Sequence, residues 1–131
     1  MRDLMHSRGD LEKTVLRIIR QIVLEEAVKL GVEIDEIVLF GSRARGEARE
    51  DSDYDILVVV KGNVGRVERR ILSTRIASRA ARELLIPVDV IVTTVERWRK
   101  YSKTVGTVEE AAAGEGGSLV GNRPGDSGTL K

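Results

Sequence analysis

The segment Gly41–Val60, GSRARGEAREDSDYDILVVV, sets a Gly-Ser turn behind one apolar run and two aspartates, Asp53 and Asp55, at the head of another. Gly41 directly follows EIVLF, where only glycine lets a backbone approach a ligand closely. Ser42 adds a hydroxyl and a backbone N–H at what reads as a helix start, a position that favours an anion. Arg43 and Arg45 bring cationic donors within reach of it. An ordinary strand-to-helix turn with solvated arginines has the same composition.

The aspartates are the stronger signal. Residues two apart on a strand point the same way, so Asp53 and Asp55 share a side and Tyr54 faces the other. Aspartate is disfavoured in strands, and two neighbouring carboxylates at the start of a buried one repel each other and lose solvation. A divalent cation removes that penalty, and Mg²⁺ takes carboxylates together with substrate phosphates. The competing reading is a polar strand end in which Asp51, Ser52 and Asp53 form a turn. Asp89, inside PVDVIV, shares a side with Ile91 and needs a partner. It either completes a three-carboxylate cluster, if its strand lies beside the second, or pairs with an arginine such as Arg43. A phosphate site beside a metal site is the equipment of chemistry on a nucleoside triphosphate.

The elements that must position these groups follow from hydrophobic spacing. Leu11, Val15, Ile18, Ile19, Ile22, Val23 and Leu30 predict a helix over about 11–30, with Asp10 as N-cap and Gly31 as its stop. Strands are predicted at Glu36–Phe40, Asp53–Val60 and Pro87–Val92, with a short helix over Gly41–Ala48. The unbroken apolar character of the second strand requires cover on both faces. Val67, Ile71, Leu72, Ile76, Ala80 and Leu84 predict a helix over about 65–85. Thr93 with Glu96 has capping-box spacing, placing a helix start near Thr94, and Thr104–Ala113 reads as a further short helix. The sum is an α/β (α+β) domain: a small mixed sheet of three to four strands with helices packed on it.

At 131 residues a single domain is expected, over residues 1–113. Residues 114–131, rich in glycine and serine, read as a mostly disordered tail. Aromatic residues are so few, 3%, that the core must be aliphatic. The absence of cysteine excludes disulfides and thiolate metal sites, and with no long apolar run or signal-peptide pattern it points to a cytoplasmic protein off the membrane. Net charge is +1, which gives no bulk argument for direct nucleic-acid binding.

Gly41-Ser42, the spacer RARGEAREDS, Asp53-Tyr54-Asp55 and the later Asp89 together resemble the signature of the polymerase-beta-like nucleotidyltransferase superfamily. Within it, GSRARG…SDYDILV is most similar to the minimal nucleotidyltransferases, small proteins of bacteria and archaea, over about Ile34 to Val92. Glu115-Gly116 followed by Ser118-Leu119-Val120 resembles, in Gly-diluted form, a closing strand common in such proteins. The resemblance implies the nucleotidyltransferase fold, with Asp53, Asp55 and Asp89 as ligands of two Mg²⁺ ions. It implies Asp89 as acceptor of the attacking hydroxyl's proton, and Gly41, Ser42, Arg43 and Arg45 as the nucleotide-binding group. The implied reaction moves AMP from ATP onto a hydroxyl, releasing pyrophosphate. Many minimal members are antitoxins whose partner is a HEPN-domain toxin, neutralised by docking or by AMP transfer to a tyrosine. The alternatives are a non-catalytic module that acts by docking alone, and a transferase for a small-molecule acceptor.

Other features have plainer readings. His6 lies in the N-terminal segment and Tyr54 alternates away from the aspartates into packing. Trp98 and Tyr101 mark either a partner surface or core packing. Arg66, Arg69, Arg70, Arg75, Arg79 and Arg82 form a basic helix face, read as solvated because Glu68 and Glu83 interrupt it.

Overall fold

The structure is a computed structural model and describes residues 8–46, 53–104, 106–115 and 117–120. Helix α1 (Arg8–Lys29) buries Ile19, Ile22 and Val23 of the predicted stripe together with Ala27, leaves Leu11 and Leu30 exposed, and starts earlier than its apolar spacing indicates. It stops where Gly31 adopts φ +68°, a left-handed turn that lets the Val32 N–H return to the Ala27 carbonyl at 2.9 Å.

Strand β1 (Ile34–Phe40) pairs antiparallel with β2 (Tyr54–Val60), and helix α2 (Arg66–Leu84) crosses over to β3 (Val88–Thr94), which lies parallel to β2. Helices α3 (Val95–Tyr101) and α4 (Val108–Glu115) follow, and β4 (Gly117–Val120) pairs antiparallel with β1. The sheet order is β3-β2-β1-β4. This is the mixed sheet with packed helices that the sequence predicts.

The alternation of β2 explains the layering. Tyr54, Ile56, Val58 and Val60 face α1 and α2, joining Ile37, Leu39, Leu72, Ile76 and Val88 in the main core. Leu57 and Val59 face the opposite way, against Val38, Ala112, Phe40, Val95 and Trp98. Both faces of β2 are therefore covered, as its apolar run requires, and Trp98 serves packing. Glu109 of α4 is 6% exposed and accepts a hydrogen bond from the Thr93 hydroxyl at 2.9 Å, pinning α4 to the sheet.

Three expectations are corrected. The chain does not become tail at Gly114: α4 runs through Glu115, and Gly117–Val120 forms an edge strand with Leu119 buried. A half-exposed edge strand tolerates more glycine than sequence propensity allows, because its partner β1 supplies the pairing. The rest of the expected tail, residues 121–131, lies outside the described residues. No helix forms over Gly41–Gly46, where the chain makes turns closed by Arg45 N–H to the Gly41 carbonyl (3.1 Å) and Gly46 N–H to the Arg43 carbonyl (3.3 Å). Residues 47–48, the rest of that predicted helix, are outside the described set. The cap of α3 is Thr94, whose hydroxyl accepts the Arg97 N–H at 3.2 Å, while Thr93 is taken up by Glu109.

The basic face of α2 is partly a clamp rather than a solvated surface. Glu26 of α1, 3% exposed, accepts from Lys29, Arg75 and Arg79, each at 3.0 Å. Arg79 also reaches Glu25 and Glu83, each at 2.7 Å. The Lys29 hydrogen bond, against the opposing cost of burial and with Arg75 and Arg79 adding to it, lowers the Glu26 pKa from 4.5 to about 2. The carboxylate form is thus favoured by folding, so this stabilisation is complete above pH 4.5 and is lost as pH falls toward 2. Glu26→Gln is expected to cost about 2 kcal/mol at neutral pH and to flatten the acid limb of stability, read by denaturant titrations across that pH range.

No helix among the described residues is long and apolar enough to cross a membrane.

Candidate active site

The candidate site is built where β1 ends and β2 and β3 begin. The antiparallel register sets Phe40 opposite Asp55, and the parallel register sets Asp55 beside Asp89. Neighbouring strands lie about 4.8 Å apart, so Asp55 and Asp89 stand side by side on one sheet face. That face is the one opposite Tyr54 and its core. Asp53 precedes the strand by one residue, with the Tyr54 N–H held by the Pro87 carbonyl at 3.2 Å, and continues the alternation onto the Asp55 side. The sequence argument required β3 to lie beside β2, and it does.

The turn after β1 closes onto this group. Gly41 has φ +79°, and a Cβ placed there would overlap the Oδ2 of Asp55. Glycine is therefore demanded twice, by the backbone conformation and by the carboxylate pressed against its Cα. Ser42, half-buried, comes next. Because Gly41–Gly46 are turns, an anion held here would meet turn N–H groups rather than a helix dipole.

The two arginines are placed differently. Arg45 is exposed on the turn. The Arg43 side chain is only 7% exposed, with its guanidinium 3.0 Å from Glu12 of α1 and 4.0 Å from the Tyr54 ring centroid. That position ties the turn to α1 and to the core side of β2. Burial raises the Tyr54 pKa, with the Arg43 charge opposing it. The Glu12–Arg43–Tyr54 stack was not visible in sequence, since Glu12 is one of many acids on an exposed helix face and 31 residues separate it from Arg43.

Asp53 and Asp89 are exposed, Asp55 half-buried. Among the described residues no three acidic side chains come close enough together to hold an ion. The backbone therefore supplies the shared face, while the closed ligand cluster expected from sequence is not formed by the rotamers present. Like charges in water gain by turning apart, and two of these three are free to do so. Chemically the set suits a hard divalent cation: three carboxylates and no nitrogen or sulfur donor. A cleft of about 950 Å³, lined by Asn63, Gly65, Arg69, Thr94, Arg97 and Arg99, lies at the far ends of β2 and β3 and contains none of these acids.

The chain is a small mixed α+β sheet domain carrying neighbouring aspartates beside a glycine turn. The model of the nucleotidyltransferase domain family matches residues 16–111, so the chain belongs to that family and is a nucleotidyltransferase. It is 30% identical over 93 residues to a Methanocaldococcus jannaschii protein provisionally named a protein adenylyltransferase, covering 71% of this chain and 85% of that one. In fold it resembles a provisional nucleotidyltransferase of Sulfolobus solfataricus, with TM-score 0.58, 24% identity and 96% coverage of each chain. It also resembles, with TM-score 0.54 and 20% identity, a chain of a Shewanella oneidensis complex between a tri-AMPylated HEPN toxin and an MNT antitoxin, covering 87% of this chain and 76% of that one. A toxin–antitoxin structure with AMP-PNP matches with TM-score 0.54 and 23% identity, over 81% and 76% of the two chains.

Proposed function

We infer that the protein transfers AMP from ATP to a hydroxyl of a partner protein, as the antitoxin of a HEPN toxin, with a tyrosine as acceptor. The observation that carries the reading is the alignment of Asp55 with Asp89 beside the Gly41–Ser42 turn. The provisional adenylyltransferase relative and the fold shared with an AMPylated toxin–antitoxin complex support it.

In the reaction the acceptor oxygen forms a bond to the α-phosphorus and the bond to the bridging oxygen of pyrophosphate breaks. Asp89, exposed at the edge of the site, accepts the hydroxyl proton. Turn N–H groups around Ser42, together with exposed Arg45, hold the triphosphate tail. Arg43 serves this site indirectly, by fixing the turn against α1 and Tyr54. Asp53, Asp55 and Asp89 would hold Mg²⁺, whose chemistry is to neutralise the phosphate oxygens on both sides of the displacement. The protein's own contribution is then mainly positioning.

The test incubates the protein with α-labelled ATP, Mg²⁺ and a co-encoded HEPN-domain protein. The expected result is label on a partner tyrosine, located by mass spectrometry, with loss of toxicity. Full neutralisation without label transfer would reject the catalytic reading in favour of docking alone.

A further inference from the structure

Among the described residues β3 is an outer strand of the sheet. It pairs with β2 without a register shift from Val88 to Thr94. Its stretch Val90–Val92 has no proline, glycine or charge, the devices that normally blunt an edge. The other edge, β4, has only four residues and a register shift in its pairing. Along the β3 edge runs a groove of about 230 Å³ between Val90, Ile91 and Val92 on one side and Arg66, Arg69, Arg70 and Ser73 of α2 on the other. Ile91 is 39% exposed. Arg69 donates to the Val64 carbonyl, but Arg66 and Arg70 are exposed and have no ion-pair partner among the described residues. Asp89 adjoins Val90 in the same strand.

We propose that the β3 edge and the Arg66–Arg70 stripe together dock an extended, acidic segment of the protein acceptor, adding it to the sheet as a further strand, an inference that rests on the transfer of AMP to a protein. Backbone pairing supplies the grip and the arginines supply the selection for acid. Strands rise about 3.3 Å per residue, so a residue docked opposite Val90 lies roughly one step from the level of Asp89. The next residues of the segment are thereby carried to the reacting end. The groove selects acceptors by charge and by extended form.

The probe is a short fluorescent peptide alternating valine with glutamate and ending in tyrosine, with a lysine-for-glutamate control. Anisotropy is expected to show the acidic peptide bound at least about tenfold more tightly than the basic one, with the preference abolished in Arg66→Glu/Arg70→Glu and weakened in Arg66→Gln/Arg70→Gln. Hydrogen exchange is expected to slow at Val90–Val92 when the acidic peptide binds. Both arginines are exposed, so an unchanged melting temperature certifies the folded variants. No binding of the acidic peptide, equal binding of both peptides, protection elsewhere, or displacement by oligouridine that itself protects Val90–Val92 would overturn the proposal. Transfer to the full-length partner separates it from the functional reading. Charge-dependent docking without any transfer retains this surface and removes the transferase assignment to a protein. Undiminished transfer by Arg66→Glu/Arg70→Glu does the reverse.

Discussion

Asp55→Asn is expected to lower nucleotidyl transfer by at least about 10³-fold while leaving the fold intact. Asp55 is central because three features meet on it: its register with Asp89, the Gly41 turn, and the alternation that places Asp53 on its side. Replacing its charge removes the middle donor of an all-carboxylate set, and each tenfold in rate corresponds to about 1.4 kcal/mol, so the loss amounts to about 4 kcal/mol of transition-state stabilisation. Stability should change little, since the amide keeps the size and polarity of the carboxylate while losing one of several neighbouring like charges relieves repulsion. The check is single-turnover transfer of labelled AMP alongside a melting curve and titration of Mg²⁺ with ATP. Transfer within tenfold of the parent protein would remove Asp55, and with it the proposed site.

Gly41→Ala should produce a different pattern, losing both stability and activity. The methyl group meets a backbone at φ +79°, which costs on the order of 1–2 kcal/mol for a residue with a side chain. It also occupies the space of the Asp55 carboxylate, which must swing away. A displacement of about 1 Å at a reacting centre is worth on the order of 10²-fold, so transfer is expected to fall at least about 100-fold. Gly46→Ala is the internal control. Its φ is +76° and nothing lies within 4 Å of the added Cβ, so it should lose similar stability and keep its activity. If the two variants lose activity equally, backbone strain in the turn, and not the contact with Asp55, governs the site.

The same distinction between local and assembled information runs through the molecule. Helices α1 and α2 were legible because their apolar faces recur at helical spacing, and β2 because its Ile56–Val60 run is short, β-branched and apolar on both faces. The aspartates were legible as a signature, since such residues are costly at the head of a buried strand unless something uses them. The roles within the signature were less so. Arg43 reads as a phosphate donor by sequence proximity, and the fold sets its guanidinium against Glu12 and Tyr54. Thr93 reads as a cap, and Glu109 claims its hydroxyl from 16 residues away.

By itself, then, the sequence determined the element types, the aliphatic core and the set of residues from which a phosphate-transfer site could be made, because propensity, spacing and the cost of acids in strands act within a few residues. Only the tertiary structure decided that Asp89 lies beside Asp55, that Asp55 presses on Gly41, and that a groove runs between the β3 edge and α2. Each of these depends on which elements become neighbours, and that is settled by contacts between residues far apart in the chain, which no local stretch encodes.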